Sequence, residues 1–393
     1  MMNEYRWVVE KVKVGCEMPA EVSTIHPSLV RVRNGDLLLF GNTYSGNRFV
    51  SKSYTVVVCR SADNGETWSK PQETFTKPLA AGKPSAVGTG TSLKSGRIIL
   101  LGEFGSTECK NKETQGIKDV PTGEISPYGF PVVETRGRWT DVPPCRPLLS
   151  DDDGETWQVG DPIDCLSYVA GGSITHLSDG SLLLPVFGYR PGAEDAEQFS
   201  NGYVLSKDDG RTWGPPAIVA AWDRRVHDMP NEMGIVELPD GRWVALYRNQ
   251  FQRNDYNSTG VFLFRSYSRD RGRTWTTGEQ IFPNMGYTVA TLLPDGALMV
   301  VGHSFSGILY AVSSTGGETW DYQNLLWGRD PRDGGDCGGF SLLRLADGRM
   351  LVAYYARADR SKPLPSAHEY GKMRLEIAWL KKVKPDSVQG RMR

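Results

Sequence analysis

Ser61-Ala-Asp63-Asn-Gly65-Glu-Thr67-Trp68 decides the fold, because the chain repeats it. It returns as Ser150-Asp-Asp152-Asp-Gly154-Glu-Thr156-Trp157, Ser206-Lys-Asp208-Asp-Gly210-Arg-Thr212-Trp213 and Ser268-Arg-Asp270-Arg-Gly272-Arg-Thr274-Trp275. A fifth copy, Ser313-Ser-Thr315-Gly-Gly317-Glu-Thr319-Trp320, keeps the frame without the acid. The constant positions describe one turn: Asp bonds its own downstream backbone, Gly takes positive φ, and Thr-Trp resumes a strand. Repetition at intervals of tens of residues marks a solenoid, propeller or array.

Outward from these turns lies a second repeat. An apolar run, a polar turn with glycine and another apolar run occur around Gly35, Gly96, Gly180, Gly241, Gly296 and Gly348, as in Leu29-Val-Arg-Val-Arg-Asn-Gly35-Asp-Leu-Leu-Leu-Phe40. Short apolar runs joined through Asp-Gly or Asn-Gly are hairpin signals. Six hairpins, each followed by a third strand and most by the eight-residue turn, predict a six-bladed, all-β propeller with four-stranded blades. Third strands are expected at 54–60, 202–205, 261–267, 308–312 and 375–380. The sixth blade runs out of chain after Leu380, so Tyr5 to Val14 is expected to supply its last strand and close the ring. One domain over 1–383 with a tail at 384–393 follows; two packed β-sandwiches are the alternative.

Composition narrows the function classes. The 393 residues carry 45 basic and 46 acidic side chains without long runs of either sign, which gives no nucleic-acid surface. No apolar stretch has the length of a membrane span. The N-terminal residues lack the apolar core of a signal peptide, and the six cysteines show neither metal spacing nor a paired pattern, so a reduced cytoplasmic protein is expected. Neither a metal nor a cofactor is implied.

Strand direction alternates within a blade, so the starts of first strands and the ends of second strands share one end of the propeller, opposite the repeated turns. Reading those positions gives a residue set. First strands and the segments leading into them supply His26, Lys83, His227, Asp228, Glu232 and Tyr287. Ends of second strands and the loops after them supply Glu103, Tyr189, Arg190, Arg248, His303, Tyr355 and Arg357, among others. Carboxylate, guanidinium, imidazole and phenol on one face suit a glycan cleft. The 105–144 stretch is unusually long for a loop, and its aromatic and basic content suits either a lid over a sugar or a contact with a second copy of the chain.

The repeated turn resembles the Asp-box, or BNR repeat, of sialidase-like propellers, and the resemblance covers most of the chain. Asn231-Glu232-Met-Gly-Ile-Val236-Glu-Leu-Pro-Asp-Gly241-Arg-Trp-Val-Ala-Leu-Tyr-Arg248 looks like the fourth-blade segment of bacterial sialidases. There the Glu assists a tyrosine nucleophile and the Arg belongs to a triad that clamps the substrate carboxylate; the resemblance implies such roles for Glu232 and Arg248. The rest departs. Ile25-His26-Pro27 stands where the family has Arg-Ile-Pro, blade five offers no triad arginine, and Phe340 aligns with the nucleophilic tyrosine. These departures argue against true sialidase activity.

A glycosidase needs two carboxyl groups. Glu232 is the expected base or nucleophile and Glu103, closing an apolar strand where partial burial suits a proton donor, the expected acid; Asp228 is the reserve carboxylate. Arg248 is the expected substrate anchor, with Arg190, His26, His227, Tyr287, His303, Tyr189, Arg357 and Lys83 as further sugar contacts. The expectation is an exo-acting glycoside hydrolase on an anionic or arginine-recognised sugar. Two alternatives remain: a polysaccharide lyase using His or Tyr as base and Arg on a uronate, and a carbohydrate-binding propeller without catalysis.

Overall fold

The computed structural model describes residues 5–19, 22–45, 55–76, 79, 84, 86–104, 118–125, 131–136, 145–163, 168–169, 172–189, 199–221, 230–250, 261–283, 285–304, 306–328, 337–358 and 372–384. These residues hold strands and turns and no helix. The strands form six antiparallel blades, with the first strand of each blade innermost. Blade four is representative: Pro230–Glu237, Trp243–Gln250, Val261–Ser268 and Glu279–Pro283 pair in sequence order.

All six expected hairpins are present. In each, the residue three before the glycine accepts from the glycine N–H and donates to the carbonyl of the residue after it, as at Val32, Leu93, Leu177, Leu238, Leu293 and Leu345. The glycines lie at φ between 81 and 95°, the left-handed region that a side chain would strain.

The repeated turns also share one hydrogen-bond pattern. In the first, Ser61 Oγ accepts from Gly65 N at 2.8 Å, while Asp63 accepts from Ser61 Oγ, from Thr67 N at 2.9 Å and from Thr67 Oγ1 at 2.6 Å. The same pattern holds around Asp152, Asp208 and Asp270. In the acid-less fifth turn, Thr315 Oγ1 takes the Thr319 N–H at 2.8 Å, and Asp321 accepts from the N–H and hydroxyl of Ser314, both at 3.0 Å.

Blade six closes as the sequence implies. Arg6–Cys16 runs antiparallel to Met373–Val383 and becomes that blade's outermost strand. Apolar residues buried between adjacent blades form the core; at the closing strand Trp7 is buried with Tyr310, Val312, Leu326 and Leu380. Blade two takes its third strand, Cys145–Ser150, from beyond the long 105–144 stretch, in keeping with the reading of that stretch as the loop between its second and third strands. The two-stranded hairpin within it, Lys118–Ile125 with Pro131–Arg136, was not visible in the sequence. Blade three differs from its neighbours: its inner position is held by two short segments, Tyr168–Val169 and Thr175–His176, both paired with Leu182–Tyr189.

Candidate active site

Five innermost strands carry a register shift at the same place, near their starts. In blade one it falls between Ile25 and Ser28, in blade two between Val87 and Gly90, in blade four between Asn231 and Met233, in blade five between Gly286 and Val289, and in blade six between Gly338 and Ser341. A bulge leaves residues out of the ladder and re-aims their side chains, which is why bulges gather beside active sites. The residues released here include His26, Glu232, Tyr287, Thr288, Gly339 and Phe340.

Backbone strain marks the same place. Among the described residues, seven non-glycine residues have positive φ. Four of them, Asn64, Asp153, Asp209 and Arg271, sit at one position of the repeated turn, where the turn requires it. His26 at 49° and Tyr287 at 47° are different: both stand in the bulges, joined there by Gly339 at 57°. Aromatic residues enter this region at a cost of order 1–3 kcal/mol each and stay only when their surroundings fix them.

Those surroundings are a packed cluster. His26 Nδ1 and the Tyr287 hydroxyl are hydrogen-bonded at 3.2 Å across blades one and five. His303 stacks on Tyr287 with ring centroids 6.3 Å apart, Phe340 meets Tyr287 edge-on at 6.0 Å, and Tyr355 meets His26 edge-on at 5.4 Å. The blade-six bulge carries glycine at 339, where a side chain would be tight and the backbone has positive φ. A Cβ on Gly339 would lie 3.0 Å from both His26 Cα and the Tyr355 ring.

Beside this cluster, Arg248 Nη1 donates to Glu232 Oε2 at 2.6 Å, a charge-assisted pair with side chains only 7% and 15% exposed. The two residues come from paired strands, the partner of Arg248 in the ladder being Asn231. Blade five supports them: Thr288 Oγ1 donates to the Leu246 carbonyl at 3.2 Å, tying the fifth bulge to the second strand of blade four.

Glu103 and Arg357 end the second strands of blades two and six, at the end of the propeller where the bulges lie. Arg357 is buried and Glu103 half-buried. Tyr189 ends the second strand of blade three, its backbone paired with Phe199. Asp228, His227, Arg190 and Lys83 lie outside the described residues. The structure therefore groups His26, Tyr287 and His303, and separately Glu232 with Arg248. Tyr355, one of the second-strand ends read from the sequence, joins the first group; Thr288 and the Gly338-Gly339 pair complete the surroundings and are not among the sequence candidates. Two consecutive glycines opening an inner strand were the available signal. Among the described residues no three of His, Cys, Asp or Glu stand close enough together to hold a metal.

Comparison with known proteins agrees with this architecture. Residues 130–304 match the family described as a BNR repeat-like domain. A sialidase of Paraclostridium sordellii is 23% identical over 373 residues, covering 85% of this chain and 81% of that protein. A Dyadobacter fermentans protein of unknown function superposes with a TM-score of 0.69 at 20% identity, covering 95% of this chain and 99% of its own. An α-L-arabinofuranosidase of Fusarium graminearum does so with a TM-score of 0.63 at 14% identity, covering 98% and 100%. The chain is a six-bladed propeller that matches a BNR repeat-like domain over part of its length and is similar to a sialidase at low identity.

Proposed function

We propose that this propeller is a glycoside hydrolase, exo-acting, whose substrate is an anionic or otherwise arginine-recognised sugar bound over the inner-strand bulges. The observation that carries the reading is the set of bulges: five blades break register at one level and release a carboxylate, an imidazole and a phenol there. Similarity to a sialidase and to an arabinofuranosidase supports a glycan as the substrate class.

In this reading Glu232 acts as base or nucleophile. Arg248 fixes its carboxylate in one orientation and is the anchor for the sugar's acidic group. Glu103 donates the proton to the leaving oxygen. Tyr287, oriented by His26, contacts the reacting sugar. Arg190, His227, Tyr189, Arg357, His303 and Lys83 contribute sugar contacts, with Asp228 as the reserve carboxylate.

One observation favours a second reading. The His26–Tyr287 hydrogen bond is also what a proton-abstracting pair needs, and elimination at a uronate would use it. Incubation with acidic oligosaccharides, following reducing ends and ultraviolet absorbance together, separates the two. Hydrolysis gives reducing ends without absorbance, and elimination gives both. Binding without either product would identify a lectin-like propeller.

A further inference from the structure

We propose that Cys16 and Cys59 are a disulfide-forming site that staples the ring-closing N-terminal strand to blade one. Along the sequence the two cysteines are 43 residues apart and look unrelated. In the fold they meet: Cys16 ends the outermost strand of blade six, and Cys59 lies in Thr55–Ser61, the third strand of blade one. Their sulfur atoms are 2.7 Å apart and both residues are fully buried, with Met18 Sδ at 3.9 Å from Cys16 Sγ. This is inside the contact distance of two thiols and close to bonding range.

The packing around the pair keeps it there. A Cβ on the preceding Gly15 would stand 2.8 Å from both Ile377 of blade six and Leu39 of blade one, so the backbone is wedged into the seam between those blades. The same seam is crossed by Lys13 Nζ to Glu66 Oε2 at 2.9 Å and by Trp379 Nε1 to the Asn64 carbonyl at 3.2 Å. A bond here closes a loop of 43 residues and fixes the end of the N-terminal strand, which blade six takes from the far end of the chain, against the third strand of blade one.

The oxidant is a small-molecule disulfide of the glutathione class. The thiolate of one cysteine attacks a sulfur of that disulfide and expels one small thiolate. The second cysteine's thiolate then attacks the protein sulfur of the mixed disulfide and expels the other. Two protein thiols are oxidised, one small disulfide is reduced to two thiols, and the two protein protons pass to the leaving thiolates. Hydrogen bonding between the two sulfurs, with burial, pushes the Cys16 thiol well above its ordinary range, so the closed pair exchanges slowly and bond formation belongs to folding, before the strand is sealed in.

The test refolds the whole protein from urea in oxidised and reduced glutathione and confirms native structure by near-ultraviolet circular dichroism. Thiols are then alkylated under denaturing conditions and counted by mass. The expected result is four modified cysteines of six, with a proteolytic fragment joining Cys16 to Cys59. Reduction of that material should lower Tm by about 5 °C for a loop of this length in a chain of this size. Native protein with all six thiols alkylated, or a cross-link through other cysteines, overturns the proposal. Cys59→Ser is the control, expected to leave five thiols and a Tm that no longer responds to reductant.

Discussion

The Glu232–Arg248 pair combines two demands in one contact. Both side chains are largely buried, so truncating Arg248 takes away the guanidinium that faces the Glu232 carboxylate. Arg248→Ala is expected to destabilise the protein by about 3 kcal/mol, read as a lower urea midpoint, because truncating one partner of a buried pair strands the other. Glu232→Gln keeps an oxygen for Arg248 to donate to. It should fold with a nearly unchanged midpoint while lowering kcat by about 10²–10⁴, the usual worth of an acid–base side chain. Tyr287→Phe removes the hydroxyl that faces His26 and keeps the ring between His303 and Phe340. Activity should fall and Tm should not, which circular dichroism and initial rates would distinguish. A fall in Tm of the same order as a core truncation would show the hydroxyl to be structural.

At the scale of single elements, the repeated turn makes its own pH prediction. The Thr274 hydroxyl, then its backbone N–H, and after these Ser268 hold Asp270 down at about 2. Burial pushes Asp63, Asp152 and Asp208 up, but their threonine and serine hydrogen bonds outweigh it and leave each below its ordinary value. A carboxyl depressed on folding stabilises the native state above its unfolded value, about 4, and loses that contribution as pH falls through the folded value. Asp270→Asn should therefore be less stable than wild type near neutrality, with the gap closing between about pH 4 and 2. Urea midpoints at several pH values would show a constant gap if the hydrogen bonds did not matter. The inner-strand bulge makes a different prediction. Gly339→Ala adds a methyl group 3.0 Å from His26 Cα and the Tyr355 ring, and should impair activity by displacing His26.

The elements also differ in how far the sequence displayed them. Hairpins and repeated turns were legible because each is local: Asp-Gly and Ser-x-Asp-x-Gly-x-Thr-Trp carry their hydrogen-bond partners within a few residues. The bulges were not, since one extra residue in an inner strand looks like any apolar run, and only the partner strand reveals the slip. His26, Glu232 and Tyr287 were found from their position at strand starts, but not the reason they project. The hairpin inside the 105–144 stretch carries no such local signature, and the Cys16–Cys59 contact depends on how blade six meets blade one.

For the whole molecule, ring closure is the cooperative step. The N-terminal strand pairs along Met373–Val383 and buries Trp7 beside blade five, where the Tyr310 hydroxyl donates to the Trp7 carbonyl at 3.0 Å. Trp7→Ala is expected to cost about 3–5 kcal/mol, measured by denaturant unfolding. The axial site depends on this closure because His26 and Tyr287 come from blades one and five, with blade six between them. The measurement that tests the central claim most directly is the rate of wild type and Glu232→Gln on acidic oligosaccharides, with reducing ends and ultraviolet absorbance read in the same reaction. Release of reducing ends without absorbance, lost in the folded variant, is the predicted result. Equal turnover by the two proteins would contradict it, as would an absorbing product.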